Sequence, residues 1–179
     1  SSTGNPFLTG VVACRGNYDG LMALKSDGTI YVWGNNVLVG NNSTVIPGQA
    51  RAIEMTLPVN VTPKMIGSTG NGKARSYYIL ATDGNLYSLG ENSNGELGDW
   101  TVTDRFSWVQ PRYVSAAGPL MNNIKWFSPQ EHDGQFGAIN VINSSRSIYA
   151  FGNNDLLGIA GATSDPAIPN GLSVQDQIL

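Results

Sequence analysis

One stretch of the sequence has the residue types and the spacing of a phosphate-binding loop. It reads GSTGNGKARS, residues 67–76, with a glycine, four residues, a second glycine and Lys73. In nucleotide hydrolases the backbone N–H groups of such a loop wrap the phosphates, and a Ser or Thr after the lysine binds Mg²⁺. Here Ala74 follows the lysine, so that hydroxyl is missing. The next residues, broken by Asp83-Gly84, predict strands rather than the required helix. We therefore expect no ATP or GTP binding at this loop.

The other residues that could catalyse a reaction or bind a metal are few. The chain has one cysteine, Cys14, and one histidine, His132. Cys14 lies in the apolar run FLTGVVAC, which favours a buried free thiol over a nucleophile. His132 lies in the polar stretch PQEHDG, without partners at metal-ligand spacing, which favours a turn residue. The sequence therefore predicts no catalytic residues, no cofactor and no metal site.

An acidic cluster in the stretch GENSNGELGD is the remaining candidate. It contains Glu91, Glu96 and Asp99. The stretch is similar to a calcium-binding loop, but Gly90 stands where the first carboxylate is needed. Carboxylates gathered in loops could also serve a hydrolase. A hydrolase, or a domain of one, is therefore kept as the alternative to a binding module.

The composition favours one folded domain. The chain has 179 residues, of which 41% are hydrophobic, enough to form a core. No apolar run approaches the ~20 residues of a membrane-spanning helix. The net charge of −3 and the lack of a basic cluster argue against nucleic acid and membrane insertion. Charged residues are only 13% of the chain, against ~25% in an average domain, which favours an extracellular, cell-surface or virion location.

Three segments of the chain align without a gap. They are residues 22–36 (MALKSDGTIYVWGNN), 78–92 (YILATDGNLYSLGEN) and 140–154 (NVINSSRSIYAFGNN). Each has an apolar strand, a short polar turn, a second strand and the end Gly-x-Asn. The equivalent glycines, spaced by 56 and 62 residues, are Gly34, Gly90 and Gly152. Such a repeat predicts the same β-hairpin three times.

The hairpins predict the remaining strands of each unit. Turns are expected at Asp27-Gly28, Asp83-Gly84 and Ser145-Arg146, the last of a different type because it lacks Asp-Gly. An apolar segment precedes each hairpin (FLTGVVA, VTPKMIGS and NNIKWFS), and a further strand is expected at Pro58-Val59 and Trp108-Val109. Four short strands per ~50–60 residues is the size of one propeller blade.

The predicted fold is therefore all-β, with about three propeller-type blades of four short antiparallel strands. The whole chain, 1–179, is expected to be a single domain with repeats at about 7–57, 58–119 and 120–168, and a stub at 169–179 that leads into a further blade. Closed propellers have ~4–8 blades. Three blades leave edge strands and apolar faces open, so we expect either a piece of a longer protein or a domain packed against other subunits.

The segments DGTIYVWGNN and DGNLYSLGENSNGELGDW resemble repeats of the regulator of chromosome condensation family. The resemblance covers about residues 7–168. It implies a propeller scaffold that presents loops to a protein partner, and in some members an exchange factor for a small GTPase. The sequence departs from the family pattern where a His-Ser pair is expected; those positions hold Gly20-Leu21, Ser76-Tyr77 and Ala138-Ile139.

The stretch DWTVTDRFSW, which lies beyond the repeat, is the predicted partner-binding site. Trp100, Arg105, Phe106 and Trp108 are residue types that anchor protein interfaces. The alternative is that they cap their own blade. Trp126-Phe127 is expected to lie in a strand packed between blades.

The sequence predicts a non-enzymatic structural or recognition module that presents loops to protein or glycan partners. We expect it to belong to a larger extracellular or virion assembly, packed against protein subunits or the rest of its own polypeptide. The alternative function is a hydrolase or a hydrolase-associated domain. An exchange-factor-like activity is a weaker third candidate, because it rests on the family resemblance alone.

Overall fold

The computed structural model describes residues 7–17, 20–43, 45–70, 75–130 and 137–153. Within these ranges the chain is all-β, as predicted, and has no helix that could span a membrane. The strands are β1 (Val11–Gly16), β2 (Gly20–Lys25), β3 (Ile30–Gly34), β4 (Gln49–Glu54), β5 (Pro63–Gly70), β6 (Arg75–Ala81), β7 (Leu86–Gly90), β8 (Arg105–Val109), β9 (Ile124–Pro129), β10 (Ala138–Asn143) and β11 (Ile148–Gly152).

The strands form three antiparallel sheets, which we call blades 1, 2 and 3. Blade 1 has the order β1-β2-β3-β4, blade 2 has β5-β6-β7-β8, and the described part of blade 3 has β9-β10-β11. The register of the first two strands is interrupted at the same position in every blade, where one extra residue forms a bulge. The extra residues are Val12, Lys64 and Lys125. The predicted repeat is therefore also a repeat of strand register.

The three hairpin turns lie where they were predicted, but the expectation of a different third turn was wrong. All three turns have the same pair of backbone hydrogen bonds and a positive φ at the last turn residue: 87° at Gly28, 89° at Gly84 and 64° at Arg146. In the third turn the Asn143 Oδ1 accepts hydrogen bonds from Ser145 N and Ser147 N, both at 2.9 Å. These bonds stabilise a conformation that Asp-Gly adopts more readily.

One of the two predicted fourth strands was misplaced. In blade 1 the fourth strand is β4, whereas Pro58-Val59 lies in the connection to β5. Proline cannot donate to a strand ladder, and Val59 is 88% exposed. In blade 2 the prediction is confirmed, because Trp108-Val109 ends β8.

Successive blades pack face to face, and we call each contact a seam. Strand β6 of blade 2 is buried along its whole length because both of its faces are covered. Tyr77 and Ile79 belong to the cluster shared with blade 1, while Tyr78 and Leu80 belong to the cluster shared with blade 3. Each such side chain contributes about 1.5–3 kcal/mol by leaving water. The seams are therefore the core of the molecule.

Candidate functional site

Arg105 and Asp99 form an ion pair at the start of β8. The Arg105 Nε donates to Asp99 Oδ2 at 2.7 Å, and its second guanidinium nitrogen donates to Thr101 Oγ1 at 3.2 Å. The Asp99 side chain is 9% exposed and that of Arg105 is 34% exposed. The Arg105 side chain is thus partly accessible to a partner, while its bonds to Asp99 and Thr101 hold the residues of this loop together.

Asn92 organises this loop from inside. Its Oδ1 accepts from Leu97 N at 2.9 Å, and its Nδ2 donates to Asp99 Oδ1 at 3.0 Å and to Thr101 O at 2.9 Å. The backbone N of Asn92 donates to Asp104 Oδ1 at 2.9 Å. Asn92 is the Asn of the Gly-x-Asn repeat end. The repeat alignment marked this residue, but its role as a buried hub depends on contacts that alignment does not reveal.

The three aromatic residues of the predicted site do not share one surface. Trp100 has a φ of 64°, unusual for a bulky residue, and its Nε1 donates to Arg112 O at 3.1 Å. Phe106 and Trp108 instead pack against the apolar cluster shared by blades 1 and 2. The Trp108 Nε1 donates to Thr56 O at 2.8 Å. Each residue thus has a contact within its own chain, and partner binding by these residues stays a prediction.

A second candidate surface is the face of blade 1 that points away from blade 2, which we call the leading face. By strand register, Cys14 and Leu21 of blade 1 correspond to Ile66 and Tyr77 of blade 2. Ile66 and Tyr77 are 3% and 2% exposed, whereas Leu21 is 43% exposed and Cys14 is also exposed. The prediction of a buried thiol was therefore wrong, because in the described residues no blade covers this face.

The opposite face of blade 3, which we call the trailing face, is open in the same way. Phe127 is 2% exposed and packs into the seam with blade 2, as predicted. Trp126, the residue before Phe127 in β9, is 46% exposed, so the expectation that it also packs between blades was wrong. Neighbouring side chains of a strand point to opposite faces. Trp126 therefore belongs to the trailing face.

The carboxylates considered for a hydrolase are not arranged for catalysis. Asp99 is held in the ion pair with Arg105, and Glu91 accepts from Ser93 Oγ at 3.1 Å. Burial raises the pKa of Glu96 to about 7, a value suited to a general base. Glu96 is only 1% exposed, however, and a substrate cannot reach it. In the described part of the chain, no group of three His, Cys, Asp or Glu residues could hold a metal ion.

Of the remaining candidates from the sequence, the glycine-rich stretch is partly a strand, and two residues lie outside the part of the chain that the structure describes. Residues 67–70 of the glycine-rich stretch are the end of β5 rather than a loop. Lys73 and His132 lie outside the described ranges. A polar cleft of about 240 Å³ lies between blades 2 and 3, with Lys64, Lys125 and Asp83 among its lining residues. Its polar lining suits a hydrophilic group better than an apolar ligand.

The chain has solved structures as neighbours, although its sequence matches no protein-family model and no curated protein. Human WBSCR16 is 14% identical with a TM-score of 0.65, and the alignment covers 93% of this chain and 39% of that one. Yeast RCC1 (Prp20), solved bound to Kap60, is 19% identical with a TM-score of 0.62, covering 91% of this chain and 37% of that one.

A second structure of Prp20p, from Saccharomyces cerevisiae, gives a TM-score of 0.58 at 19% identity, covering 91% of this chain and 38% of that one. That structure was described together with the binding of Prp20p to Gsp1p and histones. The chain thus spans less than two fifths of the length of these neighbours. These likenesses, together with the three register-matched blades, show that the chain has an RCC1-like repeat β-propeller fold.

Proposed function

We propose that the chain is a non-enzymatic structural or recognition module whose leading and trailing faces are covered by protein in a larger assembly. The observation that carries the proposal is the burial of equivalent positions. Tyr77 is 2% exposed in blade 2, where another blade covers it, whereas the equivalent Leu21 is 43% exposed. An exposed apolar face costs free energy and favours a partner.

The neighbours with the same fold support a protein partner. Yeast RCC1 (Prp20) was solved with Kap60, and Prp20p is described with Gsp1p and histones. The net charge of −3 is compatible with a basic protein partner. The low content of charged residues supports our proposal of an extracellular or virion-surface assembly, in which a glycan is a further candidate ligand.

The alternative functions have less support. A hydrolase needs carboxylates that substrate can reach, and the carboxylate with the most perturbed pKa, Glu96, is buried. An exchange-factor-like activity rests on neighbours that are 19% identical or less, and at that distance a shared fold does not carry a shared activity.

We expect Leu21→Asp and Trp126→Asp to prevent assembly while leaving the isolated chain folded. Both side chains are about half exposed, so a charge there costs the isolated chain little, about 0.5 kcal/mol or less. In an interface the same charge is buried and unpaired, which costs several kcal/mol. Thermal unfolding measures the stability of the isolated chain. Incorporation into assemblies is measured by size-exclusion chromatography after each variant is produced in the cells from which the protein comes.

Val59→Asp is the matched control, because Val59 is 88% exposed and lies in a connection rather than on either open face. Trp100→Ala tests the loop site in the same assays. Normal assembly of both face variants would exclude the two open faces as interfaces. Loss of assembly with Trp100→Ala, at unchanged stability, would place the interface at the loop instead.

A further inference from the structure

The seam between blades 2 and 3 contains a buried carboxyl group, and one of its oxygens has no partner in the part of the chain that the structure describes. Glu96 lies in the segment 91–98, which follows β7, and is 1% exposed. Its Oε2 accepts from Asn94 N at 2.7 Å, while its Oε1 is buried and has no hydrogen-bond partner among the described residues. A Cβ added at Gly137, just before β10 of blade 3, would lie 3.1 Å from Oε1 and 3.2 Å from Thr69 Oγ1. The unpartnered oxygen therefore faces the seam.

The segment 91–98 is itself packed against blade 3. A Cβ added at Gly98 would lie 2.8 Å from the ring of Phe151, so the segment and the end of β11 are in close contact. The Asn153 Nδ2 donates weakly to Asn94 Oδ1 at 3.5 Å across the same seam. On the blade 2 side, the Tyr78 hydroxyl donates to Glu96 O at 2.8 Å. A change in the charge of Glu96 therefore acts on the contact between the two blades.

The surroundings of the carboxyl favour its neutral form. Burial is the largest cause of the raised pKa of Glu96, and the negative charge of Glu91 adds to it. The guanidinium of Arg75 does not lie in this seam, because a Cβ added at Gly20 of blade 1 would lie 2.4 Å from one of its nitrogens. The other groups described around the carboxyl, on Thr69, Tyr78 and Asn94, bear no charge at neutral pH.

We propose that the protonation state of Glu96 controls how closely blade 3 packs against blade 2. With the carboxyl neutral, blade 3 packs closely on the segment 91–98. When the carboxyl loses its proton, a negative charge is left in the seam, and the described residues place no cation beside it, which is costly in a buried site. The contact then loosens, because opening gives the carboxylate access to water.

The direction of the pH dependence follows from proton binding. In the open or unfolded state the pKa of Glu96 returns towards 4.5, while in the closed seam it is about 7. Between these values the closed seam binds a proton that the open state has released. The contribution of Glu96 to stability is therefore greatest near and below pH 4.5, falls as the pH rises to about 7, and is constant above that.

The experiment measures hydrogen-exchange protection of the folded chain between pH 5.5 and 8, corrected for intrinsic exchange rates. Protection of residues 138–152, across the seam, is expected to fall by roughly ten- to a hundredfold as the pH rises. Protection of residues 22–34 in blade 1 is expected to change less. In Glu96→Gln the protection of residues 138–152 should stay high and independent of pH, because the isosteric amide is always neutral.

Two controls separate Glu96 from other titrating groups. Glu91→Gln removes the neighbouring carboxylate, and His132→Gln removes the chain's single histidine, a residue type whose ordinary pKa, about 6.5, falls within the measured pH range. Both variants should keep the fall in protection. The proposal is overturned if the native chain shows no pH dependence, or if His132→Gln abolishes it. It also fails if Glu96→Gln does not fold, because a neutral side chain is what the closed seam should accept.

Discussion

Replacing Gly90 with alanine is expected to destabilise the chain by about 4 kcal/mol or more. Gly90 ends β7 with a φ of 125°, a conformation that side chains rarely adopt. An added Cβ would lie 1.8 Å from the carbonyl oxygen of Arg75 and 2.8 Å from the Cα of Ser76. Both atoms belong to the backbone of β6, so β6 and β7 would have to separate. Urea unfolding of the isolated chain measures the cost.

Gly48→Ala is the control for that substitution. A Cβ at Gly48 meets nothing within 4 Å, and its φ is not positive. Its effect on the free energy of unfolding should be within about 0.5 kcal/mol. Equal stabilities for the two variants would mean that the glycine of the repeat end is not required by the backbone. Gly34 and Gly152 share the positive φ, at 120° and 112°.

Phe127→Ala is expected to cost about 3–5 kcal/mol, the usual range for removing a buried aromatic ring. The ring is 2% exposed, and its centroid lies 6.2 Å from that of Tyr78 in blade 2. It fits against Gly67, where an added Cβ would lie 2.6 Å from the ring. The substitution leaves a cavity in the seam, and thermal or urea unfolding measures its cost.

Trp126→Ala, at the neighbouring position of the same strand, is the matched comparison. Trp126 is the larger residue, but it is 46% exposed on the trailing face. Its loss should cost the isolated chain less than about 1 kcal/mol. A cost as large as that of Phe127→Ala would show that the trailing face is already covered within the chain.

The local pattern of the sequence predicted the fold class and the three hairpins, and the same residues carry the resemblance to the propeller family. These features depend on residues close in sequence: alternating apolar residues, polar turns and the glycine of each repeat end. The bulges were not predicted. Two of the extra residues, Lys64 and Lys125, are lysines but the third is Val12, and their equivalence is apparent only from strand register.

Two errors in the sequence predictions concern positions whose environment depends on distant parts of the chain. Cys14 and Trp126 lie in apolar strands, yet their exposure depends on whether another blade lies beside them. Burial of Glu96 likewise depends on blade 3, because Gly137, just before β10, lies against its carboxyl group. Arg105 and Asp99 are close in sequence, but an arginine in this stretch was as compatible with a protein interface as with the ion pair that the structure shows.

The reactivity of Cys14 tests most directly whether the leading face is an interface. This thiol, the only one in the chain, lies on the leading face and is exposed. Its counterpart Ile66 is 3% exposed in the seam between blades 1 and 2. The rate of alkylation by iodoacetamide is measured for the isolated folded chain and for the chain in its native assembly. We predict rapid reaction in isolation and at least about tenfold protection in the assembly. Equal rates in the two states would contradict the account, because the leading face would then be open where the protein works.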